Sequence, residues 1–447
     1  MNAWKGAVLS FAIGFLFRFS LEALFPASPI GFDPMGYYVP MLYAGFNPVN
    51  FLPYGPIYYV IAASMNNLIA NPILTIKILD SVLSGFFFFA LFIFLDSRTG
   101  TKYALLFAGL SFFSYQSLML TWGLERNLLA FSLFILSTTF EANDARKIVS
   151  LITLMTLAAF TDPAIVPVGF VYFALLSRKN LMNIVIPVYY TALSIFFILL
   201  AGGGIENFFG IFTSFFYPSS AFAYLALVIF LLFPFILITG EFRKFIGGLK
   251  RDGKLSTLIA SFIISSFLVL SFFPRYLAEL SSILIISLRG SGLSRQRIMA
   301  IVGVILVVSA SYVVLGNEDP SPFTNNPITV NSGEIYLYSN SFLQSTVPLD
   351  EAGSIVKLFE GVNRTNSVVV SMLYMVGFAY EAGIPPGMVI NAGENYSLFI
   401  SECSQYSKEG LTVYAVWWID NGWYGIKNLP APFMVLKQEG QFALFEY

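Results

Sequence analysis

The chain contains no histidine. That removes imidazole general bases, histidine metal ligands and a histidine pH switch. Its single cysteine, Cys403, excludes an intrachain disulfide and any cysteine-rich metal site. Charge is scarce too: Asp, Glu, Lys and Arg make up only 11% of the 447 residues, against roughly 25% in a soluble domain. No basic stripe runs along the chain, so nucleic acid is not an expected partner. What fills the sequence is apolar. Hydrophobic residues reach 57%, with 48 Phe and 24 Tyr, and the mean hydropathy is +0.75. Chemistry in such a chain falls to carboxylates, arginines, tyrosines and backbone.

Apolar runs at 6–25, 73–95, 103–120, 127–141, 147–160, 163–177, 181–202, 220–240, 255–273, 276–288 and 298–315 predict about eleven membrane spans. The first, preceded by Lys5, is too long for the apolar core of a secretory signal and reads as a retained span. Basic residues set the orientation. Lys5, Arg98, Lys102, Arg146, Lys147, Arg178, Lys179, the cluster from Arg243 to Lys254, Arg289, Arg295 and Arg297 all fall on one side of this threading. Arg126 and Arg275 fall on the other. The expected topology is therefore a multi-pass cell-membrane protein with a cytoplasmic N-terminus. Residues 26–72 read as one long external loop whose prolines forbid a single long helix. Within it, 56–70 is expected to form a re-entrant or interfacial helix. The stretches 147–177 and 255–288 read as hairpins broken at Asp162-Pro163 and Pro274-Arg275, with recessed apexes.

From residue 317 the composition shifts to 13 acidic and 5 basic residues. Strand-like runs at 334–338, 367–372, 388–391, 411–419, 433–437 and 441–446 mix with helix-like stretches at 350–360 and 395–408. They predict a small external C-terminal α/β domain over 317–447, following a transmembrane domain over 1–316. Asn363-Arg-Thr and Asn395-Tyr-Ser are glycosylation sequons, usable only on an external face.

The outer face offers few ionisable groups before residue 317: Asp33, Glu125, Arg126, Asp162, Glu206 and Arg275, with Arg18, Glu22 and Glu279 nearby. Charges at membrane depth are costly and tend to be paired or functional. Arg18–Glu22 and Arg275–Glu279 have the i,i+4 spacing of pairs that satisfy each other. Asp33, in Gly31-Phe-Asp-Pro-Met-Gly-Tyr-Tyr, is either an Asp-Pro turn cap or a working carboxylate. Glu125 and Asp162 stand where helix caps are common.

A first span, a long external loop with an early Asp, many short-looped spans and an external C-terminal domain together resemble the GT-C superfamily of membrane glycosyltransferases. That superfamily includes protein O-mannosyltransferases, aminoarabinose transferases and oligosaccharyltransferase catalytic subunits. The matching residues are Asp33 in its aromatic loop, Tyr54-Gly-Pro-Ile-Tyr-Tyr later in that loop, and Arg275-Tyr276 at the head of a late span. The resemblance implies transfer of a sugar from a polyprenyl-phosphate carrier to a lipid, glycan or protein acceptor on the external face. It implies Asp33 as the catalytic base. Arg275 and Arg126 would hold the phosphate, and Asp162, Glu125, Tyr37 and Tyr54 would complete the substrate site. Phosphate is a good leaving group, so one carboxylate and cationic holders suffice. No Asp-x-Asp pair appears in the external loops before 317, which departs from the oligosaccharyltransferase pattern. A metal-independent reaction without cofactor is expected, with a divalent ion left open, and the expected partners are membrane lipids and the lipid-linked donor. The competing classes are a transporter or channel, and a non-catalytic scaffold displaying the C-terminal domain. Against transport stand the lack of an inverted repeat and the gathering of charges at one face.

Overall fold

The computed structural model describes residues 2–31, 33–45, 47, 51–52, 55–114, 117, 121, 124–140, 145–177, 252–268, 328–330, 333–335, 347, 351–393, 395–419 and 429–447, and isolated positions on either side of 252–268 between 188 and 303. Much of the spans expected at 181–202, 220–240, 276–288 and 298–315 lies outside the described residues, as do Tyr54, Pro274 and Arg275. The contacts group the chain into two compact units. The first comprises 1–18, 48–60 and 80–342, the second 19–47, 61–79 and 343–447.

The first unit is helical. Helix α1 (Ala3–Leu24) and α4 (Pro72–Thr99) are long and apolar enough to cross a membrane. Between them in sequence lie α2 (Val39–Ala44), which belongs to the second unit, and α3 (Pro56–Ile69). A helix therefore stands within 56–70, where one was expected. Helices α1 and α4 run antiparallel through glycine contacts. A Cβ on Gly14 would stand 2.7 Å from the Ser84 carbonyl oxygen, and one on Gly85 would stand 2.8 Å from that of Phe11. Gly6 meets the Phe92 ring in the same register. Small residues let the two backbones approach closely.

The next helices are α5 (Thr101–Phe112), α6 (Glu125–Ser137), α7 (Ala145–Thr161), α8 (Ile165–Ser177) and α9 (Gly253–Leu268). The helical run does break at Asp162-Pro163. Helix α7 packs chiefly along α6, whereas α8 packs chiefly on α9. The break is thus where the chain exchanges one helix partner for another. Arg98 at the end of α4 meets Asp252 at 2.5 Å, and Asp252 Oδ1 accepts from the Leu255 N–H to start α9. The end of α4 and the start of α9 therefore share one end of the bundle.

A short hairpin, β1 (Ile328–Val330) with β2 (Gly333–Ile335), follows. The C-terminal part of the second unit carries α10 (Ala352–Glu360), β3 (Ser367–Ser371), α11 (Leu373–Glu381), β4 (Val389–Asn391), α12 (Tyr396–Lys408), β5 (Thr412–Trp418), β6 (Met434–Glu439) and β7 (Phe442–Glu446). The last five strands form one sheet in the order β4-β3-β5-β7-β6, with β3 parallel to β4 and β5 and the rest antiparallel. Strands β3, β5 and β7 are the buried centre, as their runs of Val, Ala, Trp and Phe require. Asn395 caps α12, its Oδ1 accepting from the Leu398 N–H at 3.1 Å. Both sequon asparagines are exposed.

Helix α11 was not legible in the sequence. All residues from Leu373 to Tyr380 are buried, so the run has no polar face and no helical period. It is buried on two sides. The Tyr374 ring packs at a tilt against Trp418 of β5, with ring centroids 5.3 Å apart, while the other side meets residues 34–44.

Candidate functional site

In the first unit the antiparallel register of α1 and α4 dictates a meeting. Since Gly14 lies against Ser84 and Gly6 against Phe92, Arg18 one turn further along α1 falls beside Asp80. Their charged atoms stand 3.6 Å apart. Arg18 also reaches Glu125, the first residue of α6, at 4.0 Å and donates to the Thr121 carbonyl. Asp80 accepts from the Tyr58 hydroxyl at 3.4 Å. Arg18, Asp80 and Glu125 are each 1% exposed or less. Burying an ion costs several kcal/mol, so such charges persist only when tied to one another.

The next residue in each strand of this knot faces another way. Arg126 follows Glu125, and Tyr59 follows Tyr58. The Arg126 guanidinium carbon stands 5.5 Å from the centre of the Tyr59 ring, a cation–π arrangement on a half-buried cation. Four residues before Tyr59, Gly55 adopts φ +87° and lies against α7, where a Cβ would stand 2.4 Å from the Thr161 carbonyl oxygen. The Gly55–Tyr59 strap is thus threaded past Thr161, Asp80 and Arg126 in turn.

Asp162 is buried, and its Oδ1 accepts from the Ala164 N–H at 3.0 Å, the bond expected of a carboxylate starting a helix. Tyr276 donates to the Ala164 carbonyl at 2.5 Å, tying a late segment to the same turn.

Asp33 and Tyr37 belong to the second unit. Asp33 opens a π-helical turn, Pro34–Tyr38, with Pro34 at its first position. Its side chain makes no capping bond. Instead Oδ2 accepts from the Tyr38 hydroxyl at 3.1 Å. Residues five apart lie on different faces of an α-helix, which turns every 3.6 residues. The wider i→i+5 turn brings them onto one side. Asp33 is half-buried and Tyr37 is 43% exposed. At the base of α1, the Glu22 carboxylate accepts from the Ile30 N–H at 3.1 Å, and Lys77 of α4 donates to the Glu22 and Phe25 carbonyls. These bonds tie down the start of the loop that carries Asp33.

Of the residues singled out in the sequence, Glu125, Arg126 and Asp162 thus fall in the first unit, Asp33 and Tyr37 in the second, and Tyr54 and Arg275 outside the described residues. Sequence reasoning passed over Asp80 and Lys77. The signal was available: both are charges inside the apolar run 73–95, where an ionisable group needs a partner. Among the described residues, no three acidic or sulfur side chains converge as metal ligands.

No protein-family model matches the sequence, and no curated protein matches it either. The structure does find a match among solved proteins. With a TM-score of 0.57, 11% sequence identity, and coverage of 100% of this chain and 98% of the other, it is similar to the crystal structure of ArnT from Cupriavidus metallidurans in the apo state, and the likeness shows a shared fold.

Proposed function

We propose that the protein is a glycosyltransferase that moves a sugar from a polyprenyl-phosphate carrier to a lipid, glycan or protein acceptor. The acceptor hydroxyl gives its proton to Asp33, its oxygen bonds to the anomeric carbon, and the bond from that carbon to the phosphate oxygen breaks. The phosphate departs with the electron pair, held by Arg275 and Arg126, whose planar forks suit it. Tyr37 and Tyr54 line the substrate path. Asp162 or Glu125 orients the sugar or acceptor. The reaction needs no metal or other cofactor. The reading places the N-terminus in the cytoplasm and 317–447 outside, as an external domain.

The observation that carries this reading is the likeness of fold, over essentially the whole of both chains, to ArnT, a GT-C aminoarabinose transferase. The geometry of Asp33 adds support. An Asp that served only as a cap would bond the backbone at its helix start, whereas this carboxylate bonds a tyrosine hydroxyl. The test is transfer from purified polyprenyl-phosphate-linked mannose or aminoarabinose to a membrane extract, comparing wild type with Asp33→Asn at equal protein. Asparagine keeps the size and much of the hydrogen bonding but takes no proton. Loss of a general base costs on the order of 10²–10⁴-fold in rate. Full transfer by Asp33→Asn would remove Asp33 from the mechanism.

A further inference from the structure

The helix hidden from sequence analysis lies against the turn that carries Asp33. Gly377, in the middle of α11, faces the Met35 backbone so closely that a Cβ there would stand 2.6 Å from the Met35 carbonyl oxygen. Gly36 faces Leu373 at the start of the same helix, at an ordinary contact distance of 3.6 Å for an added Cβ. At the far end, the Tyr43 hydroxyl donates to Glu381 Oε2, and the Tyr43 and Tyr380 rings lie 5.8 Å apart. Burial, and then the Glu381 carboxylate beside it, push the Tyr43 hydroxyl well above its ordinary value, so its proton stays in place to be donated. Contacts therefore reach the π-turn itself, at Met35 and Gly36, and the segment after it, at Tyr43.

Helix α11 is itself immobilised. It leaves β3 through Met372 alone, its first N–H bonds the Gly393 carbonyl at 2.8 Å, and Tyr374 packs on Trp418. A π-turn is intrinsically unfavourable and persists where surrounding structure enforces it. Here the enforcing surface is a buried helix on a five-stranded sheet.

We propose that α11 is a clamp for the candidate base: Gly377 and Glu381 are positioning residues that hold the π-turn, and with it the Asp33–Tyr38 pair, in the reacting geometry. This rests on Asp33 being the base, and it assigns the C-terminal part of the chain a role in the reaction rather than mere display. A displacement of about 1 Å at a reacting group is enough to cost on the order of 10²-fold in rate.

The experiment uses the full-length protein in detergent and reads two things. Hydrogen–deuterium exchange is followed across 34–44, and transfer from polyprenyl-phosphate-linked mannose or aminoarabinose is measured per folded molecule, with melting midpoints recorded. Gly377→Ala is expected to speed exchange across 34–44 and to lower kcat on the order of 10²-fold with the donor KM unchanged. Tyr43→Phe removes one hydroxyl without a clash and should do both to a lesser degree at an unaltered melting midpoint. Glu381→Gln keeps an acceptor oxygen and should behave as wild type, whereas Glu381→Ala should match Tyr43→Phe. A purely structural role for the Tyr43–Glu381 bond would lower the melting midpoint without changing the rate per folded molecule. Wild-type exchange in Gly377→Ala and Tyr43→Phe, or wild-type kcat despite faster exchange, would overturn the clamp while Asp33→Asn stayed inactive. A wild type that transfers neither sugar would instead fell the glycosyl-transfer reading and, with it, the clamp's catalytic purpose.

Discussion

In the first unit, Asp80 and Glu125 are shut away from solvent and share one arginine. In the second, Asp33 stays half-buried and takes a hydrogen bond from a neutral tyrosine. The difference follows from environment. A carboxylate with no water must be neutralised by a cation in contact, and it thereby commits its charge to structure. At a partly wet position a carboxylate keeps part of its hydration and needs no such neutralisation. Among the described contacts, Asp80 and Glu125 are fixed by ion pairs to Arg18, whereas the turn that carries Asp33 is packed against α11.

This contrast makes the largest predicted effect fall on a residue outside the proposed chemistry. Arg18→Met leaves two buried carboxylates without their shared cation, and breaking a buried pair in this way costs about 3–5 kcal/mol. A steep fall in the unfolding midpoint in detergent is the expected result, whereas Asp33→Asn should leave that midpoint in place. Equal destabilisation by the two would erase the distinction between the units.

Gly55→Ala comes next, because its φ of +87° and its approach to the Thr161 carbonyl leave no room for a methyl group. Strain of this kind costs about 1–3 kcal/mol, read from the same melts. Tyr58→Phe removes the hydroxyl bonded to Asp80 and should cost about 1 kcal/mol. That bond is long at 3.4 Å, which keeps the expected value below the roughly 1.5–3 kcal/mol of a well-formed bond to a charged group. Tyr59→Leu removes the ring beside Arg126 and should cost about 0.5–1 kcal/mol in stability. If Arg126 holds phosphate, the same variant should raise the donor KM more than it lowers kcat.

The smallest effect belongs to Cys403. Its thiol is fully buried in α12, and burial pushes it up to about 12. Only the thiolate reacts readily, so native protein at pH 8 should take up no maleimide, and labelling should begin only on unfolding or as pH approaches that value. The native cysteine would then be a silent background for single cysteines at Gly100 and Gly387. Labelling of Gly387 but not Gly100 by an impermeant reagent in intact cells is what the proposed topology requires.

Much of the second unit was legible because its elements carry their own local signals. Runs of Val, Ala and aromatic residues mark β3, β5 and β7, and Asn395 announces α12 as its cap. Helix α11 carried no such signal, since burial on two sides removes the polar face that periodicity detects. In the first unit Gly14, Arg18, Asp80 and Gly85 were each visible, yet nothing local links them.

The sequence by itself determined that this chain is built for a membrane, that Asp33 follows its first long apolar helix in a proline-broken loop, and that a mixed α/β segment ends it. Those properties are set by composition, by short-range periodicity and by the backbone limits of proline and glycine. Only the tertiary structure decided that Arg18 serves Asp80 and Glu125, that a π-turn swings Tyr38 over Asp33, and that α11 lies against that turn. Each of these joins or realigns residues through a register between elements. Register depends on how whole surfaces fit, and a pattern read along one strand or helix carries no information about its partner.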